Sequence, residues 1–190
     1  MSVLVAAALA LTGCAAVVPG AGRPAAPVVV TATPDPLGST APETADEPPR
    51  PALAADVLPD ECLVDALAFS ALLGEPVLPP RQVVVTRADG SRPTSCVATS
   101  TAEPPEPLAS VNVYEPRTGT PAEFVRSAPP QGRRTLDGAG EAAALVDTAP
   151  GVTLQLAGAR FVVTIAVLDG APGDDAWRTA AATALAALPA

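Results

Sequence analysis

The sequence predicts an α+β domain: an antiparallel sheet of about six strands with helices packed on one face. Two observations carry this. Runs rich in Val, Thr and Ile follow one another across short turn signals, which favours antiparallel neighbours. Helical spacing of apolar residues is confined to three stretches, at the start, middle and end of the region 57–190. The resulting order is α-β-β-β-α-β-β-β-α, which hints at a doubled unit although no residue-level repeat accompanies it.

The first helix opens at Asp60, a sound N-cap after Pro59, with Glu61 complementing the helix dipole. Cys62, Ala66, Phe69 and Leu73 recur at helical spacing, and Leu63 and Leu67 widen the stripe. Gly74 ends it and Pro76 prevents its resumption. Gln82-Val83-Val84-Val85-Thr86 reads as a strand, Asp89-Gly90 as a turn, and Ser95-Cys96-Val97-Ala98-Thr99-Ser100 as the next strand. Ala109-Ser110-Val111-Asn112-Val113-Tyr114 alternates and makes a third.

Thr120-Pro121-Ala122-Glu123 forms a capping box with Pro at the first helical position, opening a short helix that carries Phe124 and Val125 and stops before Pro129-Pro130. Strands follow over residues 142–147, 152–156 and 160–168, with turns at Pro150-Gly151 and Gly158. The last run is apolar on both faces and is expected at the sheet centre. A final helix starts at Gly173 or Asp174 and runs through Trp177, Leu185 and Leu188 to Pro189.

Upstream, residues 15–56 carry Pro19, Pro24, Pro27, Pro34, Pro36, Pro42, Pro48, Pro49 and Pro51. Each removes a donor and restricts the residue before it, so the segment is read as a disordered tether with polyproline-II character. Val28-Val29-Val30 is its strand-like fragment. The tether reaches roughly 35–40 Å as a flexible coil and up to about 130 Å if extended. Before it, an apolar run over residues 3–11 is too short to span a bilayer, which needs about 20 residues, and fits the apolar core of an export signal. No Arg or Lys precedes that run. Leu11-Thr12-Gly13-Cys14 then resembles the lipobox of bacterial lipoproteins, with an aliphatic residue three before the Cys and small residues between. The resemblance implies cleavage before Cys14, a lipid on its sulfur, and a lipid-anchored protein on the extracytoplasmic side of the cell membrane. The division is therefore signal peptide 1–14, tether 15–56 and folded domain 57–190.

Three cysteines are an odd number for an exported chain. With Cys14 acylated, Cys62 and Cys96 remain as a pair, and the alternative is two separate buried thiols. The net charge of -9 with scattered Arg excludes nucleic acid as a natural partner. All eleven cationic side chains are Arg and His is absent, which removes the commonest general base and metal ligand.

Taken together, the lipobox, the Pro/Thr-rich tether and the Pro59-Asp60-Glu61-Cys62-Leu63 opening of a helix that ends Leu72-Leu73-Gly74-Glu75 resemble a known family. So do the second Cys on a strand, Gly138-Ala139-Gly140-Glu141-Ala142-Ala143 and the closing Ala-rich helix. The chain is similar to the actinobacterial lipoproteins grouped as domain-of-unknown-function family 3558. It departs from that pattern at Val97, where an aromatic is expected after the Cys, and at Glu141, which stands where the family has Asp. The resemblance implies a location and a fold but no chemistry.

No catalytic constellation emerges. Gly-x-Ser-x-Gly is absent, Asp89, Asp137 and Asp169 each precede Gly as turn residues, and Asp60, Glu123, Asp174 and Asp175 suit helix starts. A calcium site at Asp169, Asp174 and Asp175 matches no EF-hand spacing. Arg133-Arg134 reads as a solvated loop before an anion site, and Trp177, Phe161 and Phe124 as core before a sugar platform. No enzyme activity, cofactor or metal is expected. The expected role is an interaction or accessory module, monomeric, meeting an envelope protein or cell-wall polymer. The alternative is a carrier of a small hydrophobic ligand in a cleft between sheet and helices.

Overall fold

The computed structural model describes residues 51–86, 90–128, 131–148 and 150–189. They form an α+β fold with one antiparallel sheet of eight strands and three helices. In chain order these are β1 (Leu53–Ala54), α1 (Ala66–Leu73), β2 (Arg81–Val84), β3 (Thr94–Thr99), β4 (Pro107–Pro116), α2 (Pro121–Arg126) and β5 (Arg133–Thr135). β6 (Ala142–Thr148), β7 (Gly151–Ala157), β8 (Val162–Val167) and α3 (Asp174–Ala187) complete the fold. The strands lie in the order β2-β3-β4-β8-β7-β6-β5, with β1 paired to the far end of β4. Two three-stranded meanders, β2-β3-β4 and β6-β7-β8, thus meet at the β4–β8 pair.

That pair runs in register from Ala109↔Val167 to Tyr114↔Val162. Its alternation sorts side chains to two faces. Val111, Val113, Val163, Ile165 and Val167 point to an inner face, where Phe69 and Leu72 of α1 and Trp177, Ala180, Ala181 and Ala184 of α3 close the main core. The alanines of α3 let that helix lie close to the sheet. β8 is central, between β4 and β7, as its two apolar faces predict.

The sheet is larger than six strands, and its helices are not confined to one face. α2 packs on the outer face, where Ala122, Phe124 and Val125 meet Ala144, Ala157 and Val162. Those three sheet residues share a face because each lies one position out of step with its inward neighbours, and two are Ala, leaving room for the Phe124 ring. Both extra strands are short: β5 spans three residues and β1 two. β1 also brings the end of the expected tether, residues 51–56, into the domain: Leu53 pairs with Pro116, and Asp56 Oδ1 accepts from Thr94 N at 2.7 Å. Residues 15–50 of that tether lie outside the described residues.

α1 starts later than its periodicity suggests. Its N-cap is Asp65, whose side chain accepts from Ala68 N at 2.8 Å, and not Asp60. Asp60 instead folds back on Cys62 N at 2.9 Å and holds Gln82 Nε2 at 2.9 Å, so Cys62 precedes the helix and is not in its first turn. Leu67, expected in the apolar stripe, is 80% exposed, and Leu72 takes the buried place beside Phe69. The end of α1 follows expectation: Gly74 adopts φ 75° and its N–H reaches Ser70 O at 2.9 Å. The Thr120 box is complete, with Glu123 N donating to Thr120 Oγ1 at 3.2 Å and Thr120 N to Glu123 Oε2 at 2.7 Å.

One backbone approach is tight enough to test the sheet. A Cβ at Gly151 would stand 1.8 Å from Val167 O, so β7 and β8 could not keep their register around a side chain there. Gly151→Ala is expected to cost about 2–3 kcal/mol, as overpacking does. Urea unfolding followed by Trp177 fluorescence measures it, and an unchanged midpoint would contradict the contact.

Candidate functional site

Of the sequence-predicted site residues, Cys62 and Cys96 are brought together and bonded, with Cα atoms 5.0 Å apart. Cys96 sits in β3 against Val111 of β4, fully buried. Cys62 lies in the irregular stretch before α1, next to buried Glu61, Leu63 and Val64. The bond therefore fastens that stretch to the inner face of the sheet, and Asp60–Gln82 and Asp56–Thr94 hydrogen bonds reinforce the attachment on the amino-terminal side of Cys62. Leu11, Thr12, Gly13 and Cys14 lie outside the described residues.

Arg133 and Arg134, which the sequence suggests for a solvated loop, are structural. They are neighbours on β5, and strand alternation sends them to opposite faces. Arg133 Nη2 donates to Val125 O at 2.7 Å, satisfying one of the last carbonyls of α2 on the outer face. Ser127 Oγ satisfies the preceding one, Phe124 O, at 2.9 Å. Arg134 pairs with Asp174 at 2.6 Å, at the first turn of α3 on the inner face. A three-residue edge strand thus ties down both helical layers. The missed signal was the pairing of two long cations with two helix ends that have opposite needs, a donor at one and a cation beside acids at the other.

Beside Arg133 opens a polar cleft of about 270 Å³ lined by Arg126, Asp137, Glu141 and the glycine turn between them. Arg126 Nη2 donates to Glu141 O at 3.0 Å, so both guanidinium groups are engaged with backbone carbonyls. Asp174 and Asp175, considered for calcium, are paired with Arg178, whose Nε also reaches Asp137 O at 3.0 Å. Among the described residues no group of three or more acids or cysteines converges as a metal site would require. At the far end of β4, Glu115 bonds Arg160 Nε at 2.8 Å and, by that hydrogen bond and its charge, raises the guanidinium above its ordinary range.

Trp177, Phe161 and Phe124 are buried, the first two in the main core and the third under α2. Four cavities among the described residues hold about 230–280 Å³ each and open at the surface. None is lined by Phe69, Trp177, Val163 or Ile165 at the centre of the core. The outer face away from α2 carries a polar row: buried Ser95 donates its Oγ–H to Asn112 Oδ1, and half-buried Asn112, Thr164 and Gln155 follow across β4, β8 and β7.

The two arginines should separate cleanly. Arg133→Ala is expected to cost about 2 kcal/mol, the scale of a charge-assisted bond to a partly buried carbonyl, and to be little changed by 1 M NaCl. Arg134→Ala removes a half-exposed ion pair and should cost under about 1 kcal/mol, less still in high salt. Thermal melts at low and high salt check both. Replacing Cys62 and Cys96 together by Ala should lower stability by about 4 kcal/mol, the chain-entropy value for a loop closed across a separation of 34 residues. Denaturant unfolding with and without reductant measures it.

In comparisons with protein-family models, curated proteins and solved structures, nothing matches this chain.

Proposed function

We propose that this chain is an envelope lipoprotein, held to the outer side of the cell membrane by a lipid on Cys14, with residues 15–50 as a tether and the α+β domain as a non-catalytic interaction or accessory module. The observation that carries the location is the Cys62–Cys96 bond. Such bonds persist in oxidising compartments, and this one leaves Cys14 as the single cysteine available for acylation. The lipobox residues Leu11, Thr12 and Gly13 supply the context in which that thiol is processed. Membership of domain-of-unknown-function family 3558 is part of the same proposal, resting on the motifs quoted above.

The non-catalytic reading is supported by how the carboxylates are used. Asp65 and Glu123 cap helices, Asp174 and Asp175 pair with Arg, and Asp56 and Asp60 hold the entering chain. The buried apolar cluster between sheet and helices, which none of those four cavities enters, favours a surface that meets an envelope protein or cell-wall polymer over the transport of a hydrophobic molecule.

Cys14→Ala is expected to move the protein from the membrane fraction to the soluble fraction and to abolish palmitate labelling, with the melting temperature of the domain unchanged. Labelling that persists in the variant would defeat the anchor. Native mass spectrometry of the wild-type protein taken from its own membrane should show no ligand retained by the domain.

A further inference from the structure

The charged residues of the domain divide into those with an ion-pair partner and those without. Arg134, Arg160 and Arg178 are paired with acids. Arg126, Arg133, Asp137 and Glu141 line a single cleft of about 270 Å³ between the end of α2 and the turn from β5 to β6, and none of the four enters an ion pair among the described residues. Both guanidinium groups are only partly used. Arg126 bonds through Nη2 to Glu141 O and Arg133 through Nη2 to Val125 O, while Arg133 Nε is buried with no hydrogen-bond partner. A guanidinium carries five donors in a fixed fork, so each keeps donors for a further acceptor. Gly138, in the same lining, adopts φ 80°, a conformation that favours glycine, and a Cβ there would meet nothing within 4 Å. The turn thus leaves that side of the cleft without a side chain.

Two cations and two acids on one cleft set the kind of ligand. To a simple anion, Asp137 and Glu141 cancel much of what the arginines offer, and to a simple cation the arginines do the same. Only a molecule that carries both charges gains from all four residues. We propose that this cleft binds a compact zwitterion of the α-amino acid type, its carboxylate held by Arg126 and Arg133 and its ammonium group facing Asp137 and Glu141. The volume of about 270 Å³ lies just under the range of pockets for drug-sized molecules, about 300–1,000 Å³, and suits a ligand of amino-acid size. Arg126, Asp137 and Glu141 are exposed, so the ligand exchanges freely and does not stay bound through purification. The site adds a small-molecule ligand to the interaction-module reading and does not depend on a lipid at Cys14.

Nitrogen–proton NMR on the full chain tests it, with L-alanine as the probe at about pH 7, where both its groups are charged, and at constant ionic strength. The amide signals of Gly138, Ala139 and Gly140 are expected to shift saturably with alanine. Acetate, N-acetylalanine and alaninamide, each lacking one of the two charges, should bind at least about ten-fold more weakly, the loss of one charge-assisted contact. Arg126→Gln and Glu141→Gln, which neutralise one charge of each sign, should each weaken alanine by the same factor. Arg117→Gln, which removes an exposed cation outside the cleft, should leave binding unchanged. Absence of a saturable shift with alanine would overturn the proposal. So would acetate binding as tightly as alanine, which would make the cleft a plain anion site, or unweakened binding in either Gln variant of the cleft.

Discussion

The structure depends on the pairing of β4 with β8. These strands are separated by about 50 residues of chain, and closing such a loop costs about 3 kcal/mol beyond a constant, before any contact repays it. Once formed, the pair fixes which face every other element meets. Val111 and Val113 stand beside Ile165 and Val163 on the inner side, giving Trp177 and Phe69 a floor. Tyr114 and Val162 fall on the outer side, where α2 lies. A slip of β8 by one residue would turn Val163 and Ile165 outward and leave the α1–α3 layer over Thr164 and Ala166.

The two helical layers follow from this sorting and are chemically unlike. The inner layer is large and aliphatic, built around one indole and two phenyl rings, with Ala at the close approaches of α3. The outer layer is a single six-residue helix over small side chains, and it owes its place to its caps: Thr120 and Glu123 at one end, Ser127 and Arg133 at the other. So short a helix has little intrinsic stability. Its burial and its four terminal partners replace what its length does not supply.

Much of this was legible in the residues. The doubly apolar β8, the Thr120 box and Gly74 rest on local chemistry and appear where the sequence puts them, and the Cys62–Cys96 bond rests on parity and forms, although Cys62 stands ahead of the helix. What escaped notice depends on distant partners. β1 and β5 have two and three residues and no apolar alternation, so they exist as strands only because β4 and β6 offer free backbone groups. Asp60, expected as the N-cap, and Asp65, which takes that place, carry the same capping side chain. Tertiary attachment decides between them, since the bond to Cys96 and the hydrogen bond to Gln82 hold residues 60–62 out of the helix. The face taken by α2 was hidden for the same reason: it follows from the register of three strands read together.

The covalent link between residues 62 and 96 also has a mechanical meaning. Tension entering the domain from residue 51 travels along the backbone only as far as Cys62, and there the sulfur bridge hands it directly to β3, one strand in from the edge of the sheet. Everything in sequence between the two cysteines, α1 and the open-edged β2 included, lies outside the covalent load path and is held only by its packing and hydrogen bonds. A pull on the amino-terminal side therefore loads β1 and β3 first and reaches the exposed aliphatic edge only through noncovalent contacts.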